Sequence, residues 1–200
     1  HEPLGIIAED NHTLVVMQRP ELTRLRDSNG DGEADHYQTI SDDFGMTGNY
    51  HEFSFGPTRD KEGNYYIGLN LASSGASIRP EIRGEFRHYG ISREQFYKNH
   101  KAGSGRMYSA TPYRGWIMKI TPQGKTIPFA PGFRSPNGVN FDMQGRLWAT
   151  DNQGDWLGTS KLFHVKEGNF YGHPASLVWT KEWEKDATLS RCPRLYLMQS

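Results

Sequence analysis

Residues 135–156 constrain the fold most, because they form a hairpin pattern that occurs three times in the chain. A Pro-Asn-Gly entry leads into an apolar run, a polar turn follows at 142–145, and a second apolar run ends on Asp151 and Asn152. Two short apolar runs joined by a Gly-bearing turn predict a β-hairpin. When residue 3 is aligned with residue 136, residues 3–18 match this pattern without a gap and form a first copy. Another copy, with a longer turn, runs from His51 to Asn70.

More strands are expected after each copy, at 22–25, 116–120 and 161–165, with fourth strands at 36–40 and 125–130. A four-stranded unit that recurs every roughly 40–50 residues, once insertions are removed, indicates propeller blades. The sequence therefore predicts an all-β fold, a β-propeller of four-stranded blades, with a β-sandwich of similar hairpins as the alternative. The expected blades are about 1–41, 42–130 with an insertion at 71–114, and 131–170. The next blade is expected to begin after 172.

Composition limits the class of protein. The chain has 200 residues, 35% of them apolar, with 22 Gly and 11 Pro, which suits a turn-rich β domain. Because 23 basic residues balance 23 acidic ones, a nucleic acid or an acidic membrane surface is not expected as partner. No apolar run approaches the ~20 residues that span a bilayer. Blades of this kind need about four to eight copies to close a ring, and the sequence shows three, with a fourth expected after 172, so we expect a fragment of a longer protein. A disordered remainder or two chains that complete one ring are the alternatives. Ten Tyr, ten Phe and five Trp among polar residues suit a secreted or periplasmic protein.

An acidic loop between two predicted strands is a candidate calcium site. Its oxygen-bearing side chains alternate, with a glycine at the sixth position; they are Asp27, Asn29, Asp31, Glu33 and Asp35. This is the pattern that small Ca²⁺ loops use, although the EF-hand glutamate at position twelve is replaced by Gln38. The alternative is a strand-connecting turn, in which Asn, Asp and Gly are favoured anyway. Bound Ca²⁺ would be structural here.

The insertion at 71–114 does not follow the blade pattern. It is rich in arginine and aromatic residues, with Gly/Ser runs at both ends, and a short helix is expected at 92–100. A long excursion from a compact domain is usually a functional lid or an interface arm. A solvated loop is the alternative.

Propeller topology predicts which polar residues converge. The first strand of a blade starts, and the second ends, on one face near the axis, so His51 and Asn137 should meet Asn70 and Asp151 at this mouth. A concave mouth with a few convergent polar groups is the default binding-site hypothesis. His51 is the candidate general base and Asp151 the residue that orients it or holds a cation. The oxygens of Asn70, Asn137 and Asn152 are candidates for cofactor binding.

Two stretches carry a family resemblance. Residues 135–155 and 161–174, which read SPNGVNFDMQGRLWATDNQGD and KLFHVKEGNFYGHP, resemble sugar dehydrogenases of the glucose/sorbosone type. Residues 51–70 resemble the Phe-Gly-Pro hairpin of the same proteins. The resemblance is greatest to the membrane-bound dehydrogenase propellers of planctomycete-type bacteria, which are often joined to a c-type haem domain.

The resemblance implies a six-bladed propeller with a pyrroloquinoline quinone pocket at the mouth and a Ca²⁺ ion bound to the quinone. It implies a His base and hydride transfer from a small carbohydrate or alcohol. A cytochrome c domain or another protein partner would bind through 71–114. In this chain the position of that base is Gly48, and His51 stands three residues later.

Two other functions remain open. The Pro-Asn-Gly hairpin is similar to that of regucalcin-like lactonases, in which the Asn is a metal ligand, a role that would fall on Asn137. A carbohydrate-binding or assembly propeller without catalysis is the third hypothesis.

Overall fold

The computed structural model describes residues 2–73, 83–87, 107–154 and 158–185, with the side chains of 184 and 185 excepted. In chain order the strands are β1 (Gly5–Asp10), β2 (Thr13–Met17), β3 (Leu22–Arg26), β4 (His36–Ser41), β5 (Ser54–Arg59), β6 (Tyr65–Leu69), β7 (Ala72–Ser73), β8 (Met107–Tyr108), β9 (Trp116–Ile120), β10 (Thr126–Pro131), β11 (Gly138–Phe141), β12 (Leu147–Asp151) and β13 (Lys161–His164).

Three antiparallel sheets dominate the fold. The first has the order β1-β2-β3-β4, the second β5-β6-β9-β10, and the third β11-β12-β13. In each sheet the strands are neighbours in the order in which they occur in the chain, with the first strand at the inner edge. In the second sheet the insertion, with β7 and β8, lies between β6 and β9 in the sequence. The prediction of an all-β propeller built from four-stranded blades is confirmed.

Strand β6 shows why these residues form a stack of sheets. Its five residues are all buried, because one face packs on the first sheet and the other on the third. Tyr65, Ile67 and Leu69 join the core shared with the first sheet, and Tyr66 joins the core shared with the third. Burying a large apolar side chain contributes roughly 1.5–3 kcal/mol, so each interface depends on a few such residues.

The inner strands of neighbouring sheets contact each other. Strand β5 packs against β1 on one side and β11 on the other. The approach is closest at Gly5, where an added Cβ would lie 1.7 Å from the carbonyl oxygen of Gly56. Only a residue without a side chain allows the two backbones to pack this closely. The first strands of the three sheets therefore lie around a common centre.

The described parts of the insertion are attached to the body. Strands β7 and β8 pair with each other where the insertion leaves and returns. Residues 83–87 join through a two-way backbone bridge between Arg83 and Met46. The helix expected at 92–100 lies outside the described residues.

After β13 the chain returns to the second sheet. A 3-10 helix (Pro174–Trp179) and a short α-helix (Lys181–Lys185) follow. The indole of Trp116 donates to the carbonyl of Ser176 (2.9 Å), and the hydroxyl of Ser176 accepts from the backbone N–H of Gly132 (2.8 Å). The start of another blade after 172 stays a prediction. Within the described ranges, no helix has the length and apolar character needed to cross a bilayer.

Candidate functional site

The candidate site lies on the face where β5 and β11 start and β6 and β12 end. Segment 134–135 links the two strand ends: the carboxylate of Asp151 accepts from the N–H groups of Arg134 (3.2 Å) and Ser135 (2.7 Å). The carbonyl of Arg134 accepts from the N–H of Leu71, just after β6 (2.9 Å). His51 stands on the loop before β5, within the electrostatic influence of Arg134.

An imidazole and a hydroxyl form the centre of this site. Nδ1 of His51 lies 2.5 Å from Oγ of Ser73, the last residue of β7. The side chain of Asn49 holds both residues, because its Oδ1 accepts from the N–H groups of His51 (3.0 Å) and Ser73 (3.2 Å). Its Nδ2 donates to the carbonyl of Ser73 (3.0 Å). Asn49 is fully buried, whereas His51 is exposed. The buried amide of Asn49 thus holds the backbone of His51 and Ser73, and the hydroxyl of Ser73 in turn contacts the exposed imidazole.

The surroundings of His51 favour its neutral form. Partial burial lowers the pKa of the imidazole, and the positive charges of Arg134 and Arg19 lower it further. A group with an ordinary pKa of about 6.5 is therefore uncharged at neutral pH and able to accept a proton.

Asp151 is placed deeper than His51. It is 2% exposed, and burial raises the pKa of its carboxyl, against the opposing effect of the N–H groups of Ser135 and Arg134. Those N–H groups occupy its oxygens, so the carboxylate anchors the segment that carries Arg134. A catalytic role for Asp151 stays a prediction.

The three candidate asparagines have different environments. Asn70 is buried, and its Oδ1 has no hydrogen-bond partner in the described part of the chain. Asn137 is exposed at the start of β11. Asn152 is half-buried; its N–H donates to the carbonyl of Ser135 (3.3 Å) and its Oδ1 accepts from Gln153 (2.9 Å). Asn70 therefore offers the buried acceptor, and Asn137 the accessible one.

Sequence reasoning missed a buried charge network beneath His51. Arg114 is fully buried and donates to the carbonyls of Gly45 (2.7 Å), Glu52 (3.2 Å) and Phe53 (3.1 Å). Burial lowers the pKa of Arg114 to about 10. The carboxylate of Glu52, also fully buried, accepts from the N–H (2.6 Å) and hydroxyl (2.7 Å) of Thr47.

The only signal for Arg114 in the sequence was its place directly before a buried strand. By position it belongs to the arginine-rich insertion at 71–114.

The acidic loop at 27–35 lies on the opposite face from His51, between β3 and β4. Its side chains turn onto the loop itself: Asp27 accepts from the N–H groups of Gly30 (2.6 Å) and Gly32 (3.0 Å), and Asp35 from Ser28 (3.0 Å). Asn29 and Asp31 likewise accept from backbone N–H groups. Across the described residues, no three His, Cys, Asp or Glu side chains are grouped to hold a metal ion. Binding of Ca²⁺ by this loop stays a prediction, and so does the role of Glu33 as one of its ligands.

Stacked antiparallel sheets around a common centre define a β-propeller. No family model matches the chain, and no curated protein is similar to it at a significant level. Among solved structures, a glucose dehydrogenase matches with a TM-score of 0.50 and 14% identity over 85% of this chain. This likeness shows a shared fold. The chain spans about half (48%) of the length of that dehydrogenase.

Two further structures are less similar. A putative gluconolactonase has a TM-score of 0.39 and 16% identity, over 76% of this chain and 45% of its own. The PQQ-bound aldose sugar dehydrogenase from Streptomyces coelicolor has a TM-score of 0.38 and 15% identity, over 87% of this chain and 63% of its own.

Proposed function

We propose that this chain carries the catalytic base of a propeller enzyme that oxidises a small sugar or alcohol. The observation that carries the proposal is His51: its imidazole is exposed at the mouth, its pKa is lowered, and its Nδ1 is hydrogen-bonded to Ser73. An accessible, oriented and neutral imidazole has the properties that a general base needs.

The hydrogen bond with Ser73 decides which nitrogen is available. When Nδ1–H of His51 donates to the hydroxyl oxygen of Ser73, the lone pair of Nε2 is free to take the proton of a substrate hydroxyl. Loss of the hydroxyl proton to His51, and of a hydride from the carbon that bears the hydroxyl to a two-electron acceptor, converts the alcohol to a carbonyl. Proton removal by a placed base contributes about 10²–10⁴-fold to such a reaction.

The hydride requires an acceptor, and pyrroloquinoline quinone is the cofactor that the proposal assigns. When bound, such a quinone supplies a two-electron acceptor beside the substrate carbon. The residues present fit an anionic group of this kind: Arg134 is half-exposed as a residue, and its positive charge lowers the pKa of His51. Arg134 would hold an acidic group of the quinone, and the buried Oδ1 of Asn70 would accept a hydrogen bond or contribute to the Ca²⁺ ion.

The proposal extends to the cellular setting. Such an enzyme would work in the periplasm or outside the cell. It would pass electrons to a cytochrome c domain or another protein that binds at 71–114. The aromatic-rich composition and the attachment of 83–87 to the body support this part.

The test uses the complete polypeptide, reconstituted with the quinone and Ca²⁺, in a dye-linked oxidation assay on a panel of sugars and alcohols. His51→Gln should lower kcat by about 10²–10⁴-fold with little change in KM. The matched control is His36→Gln, since His36 is exposed on an outer strand. Full activity in His51→Gln would refute the proposal. Hydrolysis of sugar lactones that is lost in Asn137→Ala would instead favour a lactonase, and no activity of either kind would favour an assembly module.

A further inference from the structure

A cavity lies on the mouth face away from His51, at the outer edge of the first sheet. It has a volume of about 530 Å³, within the range of small-molecule sites, and it is formed by the end of β4, residues 83–87, the loop before β9 and the 3-10 helix. The side chains that matter here are Asp43, Arg83, Glu85, Arg87, Tyr113 and Trp179. None of them belongs to the His51 site.

The wall formed by 83–87 is held in place. The guanidinium of Arg83 donates to the carbonyls of Phe44 (3.0 Å) and Pro20 (2.5 Å), in addition to its backbone bridge with Met46. At the other end, the N–H of Arg87 donates to the carbonyl of Ala110 (2.8 Å). The cavity is therefore preformed.

The charges of the lining select against charged ligands. Arg87 pairs with Glu85 (2.7 Å) and Arg83 lies 3.7 Å from Asp42, which leaves Asp43 as an acidic group with no ion-pair partner among the described residues. A surplus negative charge disfavours an anion. A cation is disfavoured as well, since the guanidinium groups of Arg83 and Arg87 line the same cavity, with Arg87 5.0 Å from the Trp179 ring centre.

Tyr113 adds an aromatic wall in a costly backbone conformation. Its φ is 62°, in the left-handed region that residues with bulky side chains avoid. Its ring meets Trp116 edge-on (5.7 Å between ring centres) and lies 6.3 Å from that of Trp179. Such conformations are concentrated at ligand sites, where the surroundings enforce them.

We propose that this cavity is a binding site for a neutral carbohydrate. A sugar ring packs on the wall formed by Tyr113 and Trp179, and its hydroxyls donate to Asp43. A neutral polyol suits a site with an aromatic surface, paired charges of both signs and one carboxylate, Asp43, left to accept from its hydroxyls. The site goes beyond the proposed oxidation at His51 and does not depend on it.

Calorimetric titration of the full chain tests the site with neutral tetrasaccharides (cello-, manno-, malto- and xylo-series). Choline and tetragalacturonate serve as charged probes. At least one neutral sugar should bind, and Trp179→Ala and Asp43→Ala should each weaken that binding roughly tenfold or more. Asp43 is exposed, so its replacement does not threaten folding.

The control variants are Trp148→Ala, on the third sheet, and His51→Gln; both should bind as the unaltered chain does. Binding of a charged probe alone, or no binding at all, would overturn the proposal. So would neutral-sugar binding that survives both Trp179→Ala and Asp43→Ala, or that is lost in His51→Gln.

Discussion

Replacement of Asn49 by alanine tests how the candidate base is held. The side chain of Asn49 makes three hydrogen bonds to the backbone of His51 and Ser73: it accepts from both N–H groups and donates to the carbonyl of Ser73. It thereby connects β7, which pairs with β8, to the loop before β5. Alanine removes all three bonds and leaves the surrounding backbone in place.

The expected loss of stability follows from the backbone groups that Asn49→Ala leaves without a hydrogen-bond partner. Ser73 is buried, so its N–H and carbonyl lose their partner without gaining water, at a cost of about 1–3 kcal/mol each. The N–H of His51 is closer to solvent and adds less. We therefore expect Asn49→Ala to lower the free energy of unfolding by about 2–6 kcal/mol, a large share of the ~5–15 kcal/mol that a domain has.

Urea denaturation followed by tryptophan fluorescence measures this loss, and the dye-linked assay measures kcat alongside it. Asn140→Ala is the matched control, since Asn140 is exposed and its side chain reaches a neighbouring sheet only through Thr58 (2.9 Å). The control should lose less than about 1 kcal/mol. An equally small loss in Asn49→Ala would show that the buried amide does not hold His51 and Ser73.

Four other changes test the electrostatics and the packing. Arg134→Gln removes a charge that lowers the pKa of His51, so the acid limb of kcat/KM against pH should move to higher pH. Gly5→Ala places a Cβ 1.7 Å from a backbone oxygen of β5 and should cost roughly 1–3 kcal/mol in urea denaturation. Burial raises the pKa of Asp151 above its value in the unfolded chain. The carboxyl therefore adds stability at low pH, and this contribution is lost as the pH rises through the pKa of the folded state. Unfolding curves recorded across the acid range should show this loss in the unaltered chain and not in Asp151→Asn. Millimolar Ca²⁺ should raise Tm, and EDTA or Asp27→Ala should remove the increase; an unchanged Tm would contradict a calcium loop.

The strands could be predicted because their signals are local. The strand expected at 116–120 has those bounds, and the strand expected at 22–25 ends one residue later. Apolar residues bounded by Gly- and Asp-bearing turns are enough to set such elements. One hairpin alone does not indicate how sheets are arranged. Its repetition along the chain predicted that similar sheets stack around a common centre.

The candidate site was harder to predict, since its key contacts join distant segments of irregular chain. Asn49 stands in a loop with no apolar period, and its partner Ser73 is the last residue of β7, 24 residues further on. Nothing in the sequence indicates that the two segments pair. For the same reason the sequence does not distinguish Arg114 from the other arginines of the insertion, although it is fully buried.

The buried arginines connect the fold to the chemistry of the site. Loop 45–53 has few sheet partners, and its carbonyls are instead satisfied by guanidinium groups: Arg114 donates to Gly45 and Glu52, and Arg19 donates to Glu52 (3.2 Å) and Asn49. An uncharged donor as long as arginine does not exist among the side chains, so supporting this loop from below also brings positive charge under His51. Partial burial lowers the pKa of the imidazole most, and the charges of Arg134 and of Arg19 from this support lower it further. The proton affinity of the candidate base is therefore set in part by the residues that hold its loop, and a variant that loosens the loop by removing Arg19 should also make His51 easier to protonate.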